Sequence, residues 1–289
     1  MAQEIDVTDV YQIYLMTINH KKLTKRLLVV IFLVPILIIF IDLGGITFAL
    51  FWTLILIISA WEYWLLFRKG EFAPSLLVLL LGVAGISVGR YLFEPKTLGL
   101  ILSFTILSTL TVYIFACNKG SKTSGVDFGI TLGGVLYLGW IGSYLISLRM
   151  VDNGKWWVLI VLPAVWFTDI GGYFIGSWFG KTKLSKIISP KKTVEGYFGG
   201  IIFSVVFTYL LSMLWNIGNA NLNSVHALIL GLVIGAIAPL GDLGESMLKR
   251  QFDVKDSSNL LPGHGGVFDR IDTWIWAGVL GYYLIVFFF

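Results

Sequence analysis

Long runs of apolar residues, separated by short polar stretches, dominate the chain from residue 27 onwards. Because about 20 consecutive apolar residues cross the hydrocarbon core of a bilayer as a helix, such runs are typical of membrane-spanning segments. Nine runs of this kind cover residues 27–42, 46–67, 75–93, 98–117, 128–148, 156–178, 198–217, 224–241 and 273–289. The pattern predicts an all-α fold, a polytopic integral membrane helical bundle with about nine transmembrane helices.

The composition excludes a soluble globular domain. Of the 289 residues, 57% are hydrophobic and only 13% are charged, whereas a soluble domain carries about a quarter charged residues. The net charge of +4 is modest, and we expect membrane lipids rather than nucleic acid as partners. The single cysteine, Cys117, excludes an intrachain disulfide and any metal site built from several cysteines.

Polarity divides the chain into three regions. Residues 1–22 form a polar N-terminal segment, for which both a short surface helix and a leader added to the chain stay open. Residues 23–150 contain the N-terminal membrane helices. Residues 151–289 are predicted to form a C-terminal catalytic membrane region with cytoplasmic loops at 179–197 and 242–272.

The placement of Lys and Arg predicts the orientation in the membrane. If the N-terminus is cytoplasmic and nine spans follow, 17 of the 21 basic residues lie on the cytoplasmic side. Cytoplasmic loops carry such an excess of positive charge. We therefore predict a multi-pass protein of the cell inner membrane with its N-terminus in, its C-terminus out and its active site on the cytoplasmic side.

One carboxylate, Asp169, lies inside the sixth apolar run. A charged group at that depth costs roughly 2.5–3.5 kcal/mol on insertion scales, so it normally faces a polar cavity, a partner or an ion. The alternative is a hydrogen bond within the bundle or pairing with a loop lysine. We favour a functional role.

The 179–197 loop carries five lysines interleaved with Ser and Thr. Such side chains supply positive charges and hydroxyl donors that suit phosphate oxygens, and the backbone N–H groups at the start of the next helix would add to an anion site. The alternative is a basic loop that contacts anionic lipid headgroups. The candidate phosphate-binding residues here are Ser189, Lys191, Lys192 and Thr193.

The 242–272 region combines acidic and basic residues near helix ends. Asp242 closes the eighth apolar run, while Asp269 and Asp272 open the ninth. Carboxylates brought together repel unless a cation neutralises them, and hard oxygen ligands suit Mg²⁺. The bases beside them are able to hold phosphate, and the glycines that flank His264 permit close approach of a ligand. These bases are Lys249, Arg250, Lys255 and Arg270.

Acid, metal and base together suit phosphoryl or nucleotidyl transfer, which depends on positioning and neutralisation of charge. Each residue alone has an ordinary explanation, since an Asp next to an Arg is usually a surface pair worth under about 1 kcal/mol. The combination favours an enzyme.

The same region resembles the signature of the phosphatidate cytidylyltransferases, also called CDP-diacylglycerol synthases. The matching string is Ser246-x-x-Lys249-Arg250-x-x-x-x-Lys255-Asp256 followed by Pro262-x-His264-Gly265-Gly266-x-x-Asp269-Arg270-x-Asp272. Upstream, Asp169-x-x-x-Tyr173, Phe179-Gly180-Lys181 and Ser189-Pro190-Lys191-Lys192-Thr193-x-Glu195-Gly196 also resemble family segments, so the likeness covers about residues 166–272. The resemblance implies conversion of CTP and phosphatidic acid into CDP-diacylglycerol and pyrophosphate with Mg²⁺, a two-metal site, and a homodimer.

Roles follow as hypotheses. We expect Asp242 and Asp269 to bind Mg²⁺, with Asp169 as a third ligand and Asp272 beside them. His264 would position a phosphate or protonate the departing pyrophosphate. Phosphate contacts are assigned to the basic and hydroxyl side chains named above, and the predicted catalytic residues are Asp242, Asp269, His264, Arg270 and Lys249.

Three other functions stay open. A CTP-dependent lipid alcohol kinase would release CDP instead of pyrophosphate. A secondary transporter or ion channel is also built from many spans. Transporters place their site near the midplane, often within inverted repeats, and no repeat is visible here. A non-catalytic lipid-binding scaffold would have no evident use for the dense pattern of acids and bases.

Overall fold

The computed structural model describes residues 31–218 and 220–289, and the predicted N-terminal segment 1–22 lies outside these residues. The described chain contains eleven α-helices and one π-helical stretch, Val135–Ile141, and no strand beyond two isolated bridges. The helices are α1 (Ile31–Leu43, its described part), α2 (Gly45–Arg68), α3 (Leu76–Leu92), α4 (Pro95–Asn118), α5 (Ser124–Gly134), α6 (Tyr144–Met150), α7 (Gly154–Phe179), α8 (Val194–Ile217), α9 (Ser224–Ile237), α10 (Pro239–Gln251) and α11 (Phe268–Phe288).

The helices confirm an all-α membrane bundle. Seven helices of the described chain are long and apolar enough to cross a bilayer, counting Ser124–Met150 and Ser224–Gln251 as one each. Two shorter apolar helices, α1 and α3, occupy the places of the first and third predicted runs. Seven long helices are therefore established, and the number of nine spans stays a prediction.

The two polar loops are shorter than predicted. Helix α10 continues to Gln251 and α11 begins at Phe268, so only residues 252–267 connect them. Likewise α7 ends at Phe179 and α8 begins at Val194. The prediction of a loop over 242–272 was wrong because polarity was taken as a sign of a loop, whereas the α10 sequence consists largely of good helix formers behind a proline at the helix start.

Helices α7 and α8 pack closely through glycines. A Cβ added at Gly171 would lie 2.6 Å from the Phe203 side chain, and one at Gly200 would lie 2.7 Å from the carbonyl oxygen of Thr168. Small residues at such positions let two membrane helices approach backbone to backbone. The close contact brings the last turns of α7 against the first turns of α8, where the connection 180–193, called here the lysine loop, ends.

The connections 69–75, 180–193 and 252–267 meet at one end of the bundle, called here the polar end. Phe252 packs on Phe72 with ring centroids 6.4 Å apart, and the Arg250 guanidinium at the end of α10 donates to the Ile188 carbonyl oxygen at 3.4 Å. These connections are the ones that the charge pattern placed on a common side of the membrane.

Candidate active site

Three carboxylates from two helices meet at the polar end. Asp242 and Glu245 lie on α10 three residues apart, hence on one face of that helix, and Asp272 lies in the second turn of α11. Each offers one oxygen, and these oxygens lie within 4.8 Å of one another. Glu245 and Asp272 are buried, whereas Asp242 is about one third exposed. These three residues are called here the acidic cluster.

A glycine allows the two helices to come this close. A Cβ added at Gly241 would lie 2.5 Å from the carbonyl oxygen of Asp272 and 2.7 Å from the Trp276 ring. Since a backbone oxygen cannot move away as a side-chain tip can, any larger residue here would push α11 from α10. Gly241 thus sets the distance between the carboxylates of α10 and Asp272.

Beside the acidic cluster lies a buried ion network around Lys249. Its ammonium nitrogen is 2.6 Å from Glu245 Oε2 and 2.5 Å from Asp269 Oδ1. The other oxygen of Asp269 accepts from the backbone N–H of Ser257 at 2.9 Å, the Ser257 hydroxyl at 2.9 Å and the N–H of Gly266 at 2.8 Å. Both oxygens of Asp269 are therefore engaged, and the residue ties the 252–267 connection to α10.

The acidic cluster has the chemistry of a divalent cation site. Glu245 Oε1 is buried and accepts from no N–H group or hydroxyl among the described residues, so a cation would satisfy this oxygen in place of a proton shared with the Asp269 carboxyl. Three carboxylates also exceed the positive charge beside them, which comes from Lys192 and Lys249. Carboxylate oxygens are the ligands that Mg²⁺ prefers. The residues present therefore fit a divalent cation.

A cavity of about 370 Å³ opens beside the cluster between α7 and α8. Four of the predicted site residues line it: Asp169, Lys191, Lys192 and Thr193. Lys192 forms an ion pair with Asp242, which links the cavity to the acidic cluster. Asp169 interacts electrostatically with Lys192, Asp242 and Arg270, so this carboxylate faces the cavity while lying outside the cluster.

The start of α8 shapes the wall of this cavity. The Thr193 hydroxyl accepts from the N–H of Gly196 at 3.1 Å and so caps the helix. The Glu195 carboxylate accepts from the backbone N–H groups of Lys181 and Thr182, each at 3.1 Å, and draws the lysine loop against α8. Lys191 and Lys192 thereby come to the helix N-terminus, where anions bind favourably.

Other predicted residues lie apart from the cavity. Arg250, in the last turn of α10, is exposed and donates to the Val254 carbonyl oxygen of the 252–267 connection at 3.1 Å. His264 lies in the 252–267 connection, where its backbone N–H donates to the Leu261 oxygen at 2.9 Å. Lys255 is exposed, and Ser189 contributes a carbonyl oxygen that accepts from the Lys192 N–H at 3.1 Å. None of these four lines the cavity.

Sequence reasoning missed two acidic residues. Glu245 stands three residues after Asp242, and this helical spacing was the signal that could have found it. Glu62 lies inside the second apolar run and is fully buried, and a charged residue in such a run is itself a sign of function.

The comparisons with known proteins agree with this chemistry. Residues 24–288 match the model of the cytidylyltransferase family. The phosphatidate cytidylyltransferase of Synechocystis is 32% identical over 84% of this chain and 90% of its own, and that of Staphylococcus haemolyticus is 34% identical over 89% and 95%. That of Bacillus subtilis is 37% identical over 64% of this chain and 67% of its own. The predicted resemblance is thus confirmed, and this chain belongs to the cytidylyltransferase family.

Proposed function

We propose that the protein is a membrane-bound nucleotidyltransferase that converts CTP and phosphatidate into CDP-diacylglycerol and pyrophosphate. The observation that carries the proposal is the acidic cluster joined by the Lys192–Asp242 ion pair to a lysine-lined cavity, in a chain whose relatives carry the name phosphatidate cytidylyltransferase.

In this reaction an oxygen of the phosphatidate phosphate forms a bond to the α-phosphorus of CTP. The bond between the α-phosphorus and the bridging oxygen to the β-phosphate breaks, and pyrophosphate leaves. A phosphate monoester is largely ionised at neutral pH, since its second pKa is about 6 when it resembles a phosphorylated side chain. The protein therefore needs no strong general base, and catalysis rests on positioning and charge.

Asp242, Glu245 and Asp272 would hold a divalent cation, for which we propose Mg²⁺. When bound, the cation supplies neutralisation of phosphate charge. This set differs from the predicted ligands Asp242, Asp269 and Asp169. Because both oxygens of Asp269 are engaged, its proposed role is to hold Lys249 and the 252–267 connection. Asp169 would act at the cavity, where it has room to take part in binding a second cation.

Lys191, Lys192 and the start of α8 would bind substrate phosphate in the cavity. Lys192 is about one third exposed, so it can leave Asp242 for a phosphate oxygen at small cost. Arg270 is exposed and interacts electrostatically with Asp169. It lies outside the cavity lining and would contact a substrate phosphate that extends beyond the cavity. Predicted phosphate contacts of Ser189, Arg250, Lys255 and His264 would require movement of their connections towards the cavity.

The position of the cavity suits one substrate from the membrane and one from water. Tyr173 lines the cavity and is 72% exposed, and Trp178 on the same helix is 70% exposed. Aromatic side chains of this kind concentrate at membrane–water interfaces. Phosphatidate would enter sideways past them from the inner leaflet, and CTP would arrive from the cytoplasm at the polar end.

The proposal includes the predicted cell inner membrane, a cytoplasmic active site, an N-terminus in, a C-terminus out and a homodimer. Labelling of Cys117 from either side of the membrane tests the orientation, since this exposed cysteine lies in the last turn of α4, next to the 119–123 connection. Labelling only from the cytoplasmic side is expected. Cross-linking of the protein in vesicles tests the dimer.

The activity is tested with purified protein, CTP, phosphatidate and Mg²⁺. We expect equal amounts of pyrophosphate and CDP-diacylglycerol. Release of CDP with a phosphorylated lipid alcohol would identify a kinase, and solute flux into vesicles without nucleotide would identify a transporter. Absence of both products under these conditions would reject the proposal.

A further inference from the structure

A buried carboxylate outside the acidic cluster, Glu62 on α2, contacts the connection that leads into α11. It is 0% exposed, and none of the ion pairs among the described residues includes it. A buried carboxylate without a cation needs several hydrogen-bond donors to be stable. The structure supplies these donors from residues 196 to 206 positions further along the chain.

Three donors are committed to Glu62. Its Oε1 accepts from the Ser258 hydroxyl at 2.5 Å and from the Val267 N–H at 3.0 Å, while its Oε2 accepts from the Phe268 N–H at 2.6 Å. The Ser257 hydroxyl lies 3.3 Å from Oε2 but 2.9 Å from Asp269 Oδ2. A hydroxyl has one proton, so Ser257 bonds to Asp269 as the shorter contact.

Two of these donors are the N-terminal groups of α11. Val267 is the N-cap and Phe268 the first helical residue, and such N–H groups have no partner within their own helix. They carry the positive end of the helix dipole, which favours a carboxylate. Glu62 thus occupies the anion site at the start of α11 and fixes both the position and the direction of that helix.

The acidic cluster lies one turn further along α11. Asp272 follows Phe268 by four residues, so a shift of the first turn moves its carboxylate relative to Asp242 and Glu245 by a similar distance. Gly266 allows the connection to approach Glu62 closely, because an added Cβ would lie 2.6 Å from both oxygens of Glu62. A chain of direct contacts therefore connects α2 to the proposed metal ligands.

We infer that Glu62 is a positioning residue that sets the geometry of the divalent cation site through the N-terminus of α11. It touches neither the cavity nor the acidic cluster, and it acts on them through Phe268 and Asp272. The effect of Glu62 on catalysis rests on the proposed function, whereas its effect on the position of α11 does not.

The variants are Glu62→Gln, Glu62→Ala and Ser258→Ala, with Ser59→Ala as the matched control. Glutamine keeps the shape of the Glu62 side chain, but its NH₂ group would face N–H and O–H groups that need an acceptor. Ser258→Ala removes a single donor. Ser59 is also fully buried on α2, one turn away, but its hydroxyl donates to Ile55 O within the helix at 3.0 Å. Its loss tests whether removal of any buried polar group from α2 has the same effect.

Two measurements on the purified full chain test the inference without relying on turnover. Hydrogen exchange reports the protection of the Val267 and Phe268 amides. The Mg²⁺ dependence of the thermal unfolding midpoint reports affinity for the cation. For Glu62→Gln we expect faster exchange at these amides and a rise of about tenfold in the half-saturating Mg²⁺ concentration, the loss typical of removing a partner behind metal ligands. Ser59→Ala should match the wild type in both.

Unchanged exchange or unchanged Mg²⁺ dependence in Glu62→Gln overturns the inference, and so does an equal change in Ser59→Ala. If both Glu62 variants fail to fold, Ser258→Ala decides. A rise of about threefold in the half-saturating Mg²⁺ concentration, the size expected for one lost hydrogen bond, supports the inference, and no change rejects it. A protein that shows these shifts but forms no CDP-diacylglycerol would disprove the proposed function while leaving the role of Glu62 intact.

Discussion

The two ion-paired regions of the site differ in how firmly they are held. Lys192 and Asp242 pair at the edge of the cavity, where each side chain is about one third exposed. Lys249 pairs with Glu245 and Asp269 in the interior, where these side chains are 9% exposed or less. The outer pair can open for a phosphate or a cation, whereas the inner network is fixed by packing. Lysine–carboxylate pairs thus serve ligand binding at the edge of the cavity and stabilise the fold in the interior.

The energetics support this division. An exposed ion pair contributes about 0–1 kcal/mol, so substrate can replace it. Removing one partner of a buried pair costs about 3–5 kcal/mol because the remaining charge stays without compensation. Substitutions in the inner network should therefore destabilise the fold and abolish activity together, while substitutions at the outer pair should affect activity alone.

The largest effect is expected for Lys249→Met. This change leaves Glu245 and Asp269 as buried carboxylates without their shared cation, so stability should fall by about 3–5 kcal/mol. Thermal unfolding in detergent measures the loss, and Lys69→Met, at an exposed lysine, is the control. A Lys249 variant as stable as the wild type would contradict the assignment of an inner network.

The next effect is a loss of activity without a loss of stability in Asp242→Asn. Asp242 is a proposed metal ligand at a partly exposed position. Removing a residue that only supports a metal ligand lowers activity about 10–100-fold, so loss of a ligand itself should lower turnover at least about 100-fold. The unfolding midpoint should stay near that of the wild type. Asp253→Asn, at an exposed position in the 252–267 connection outside the signature residues, is the control, and normal pyrophosphate release by Asp242→Asn would remove the cation assignment.

A smaller effect is expected from filling the cavity with Gly172→Leu. Gly172 lines the cavity, and its added Cβ would meet only the Gly196 carbonyl oxygen at 3.5 Å, an ordinary contact. The extra side chain should reduce kcat/KM about 10–200-fold, the range for a steric change in a pocket. Gly129→Leu is the matched control because an added Cβ there has no atom within 4 Å. Equal activity of both variants would place substrate elsewhere.

The smallest effect is expected for Lys192→Met, which opens the outer pair. Loss of one hydrogen bond to a charged phosphate is worth about 1.5–3 kcal/mol, so KM should rise about tenfold or more. The fold should be unaffected because the pair is partly exposed. Steady-state kinetics with Lys186→Met, an exposed lysine of the same loop, gives the comparison. Identical KM values for the two variants would argue against phosphate binding by Lys192.

The fold class and the family were predictable because they depend on local patterns. An apolar run long enough to cross a bilayer predicts a helix whatever that helix packs against. The family was predictable because the string from Ser246 to Asp272 is a contiguous signature. Lys191 and Lys192 lie in a string of the same kind, and Asp242 was selected because it closes the eighth apolar run. The structure places all three at the cavity or the cluster.

The exact ligand set could not be predicted because it depends on how helices turn relative to one another. Asp269 and Asp272 are three residues apart on α11, and both contact α10. Asp269 pairs with Lys249 and accepts from the 252–267 connection, whereas Asp272 lies beside Asp242 and Glu245. The choice between them is set by Gly241 and Glu62, which act across the bundle. Such long-range packing leaves no local pattern in the sequence.

The most direct test of the account is a crystal structure of the protein soaked with Mn²⁺, which replaces Mg²⁺ and is located by its anomalous scattering. The account predicts a peak bounded by the carboxylates of Asp242, Glu245 and Asp272. A peak at Asp269 instead, with none between those three side chains, would contradict it.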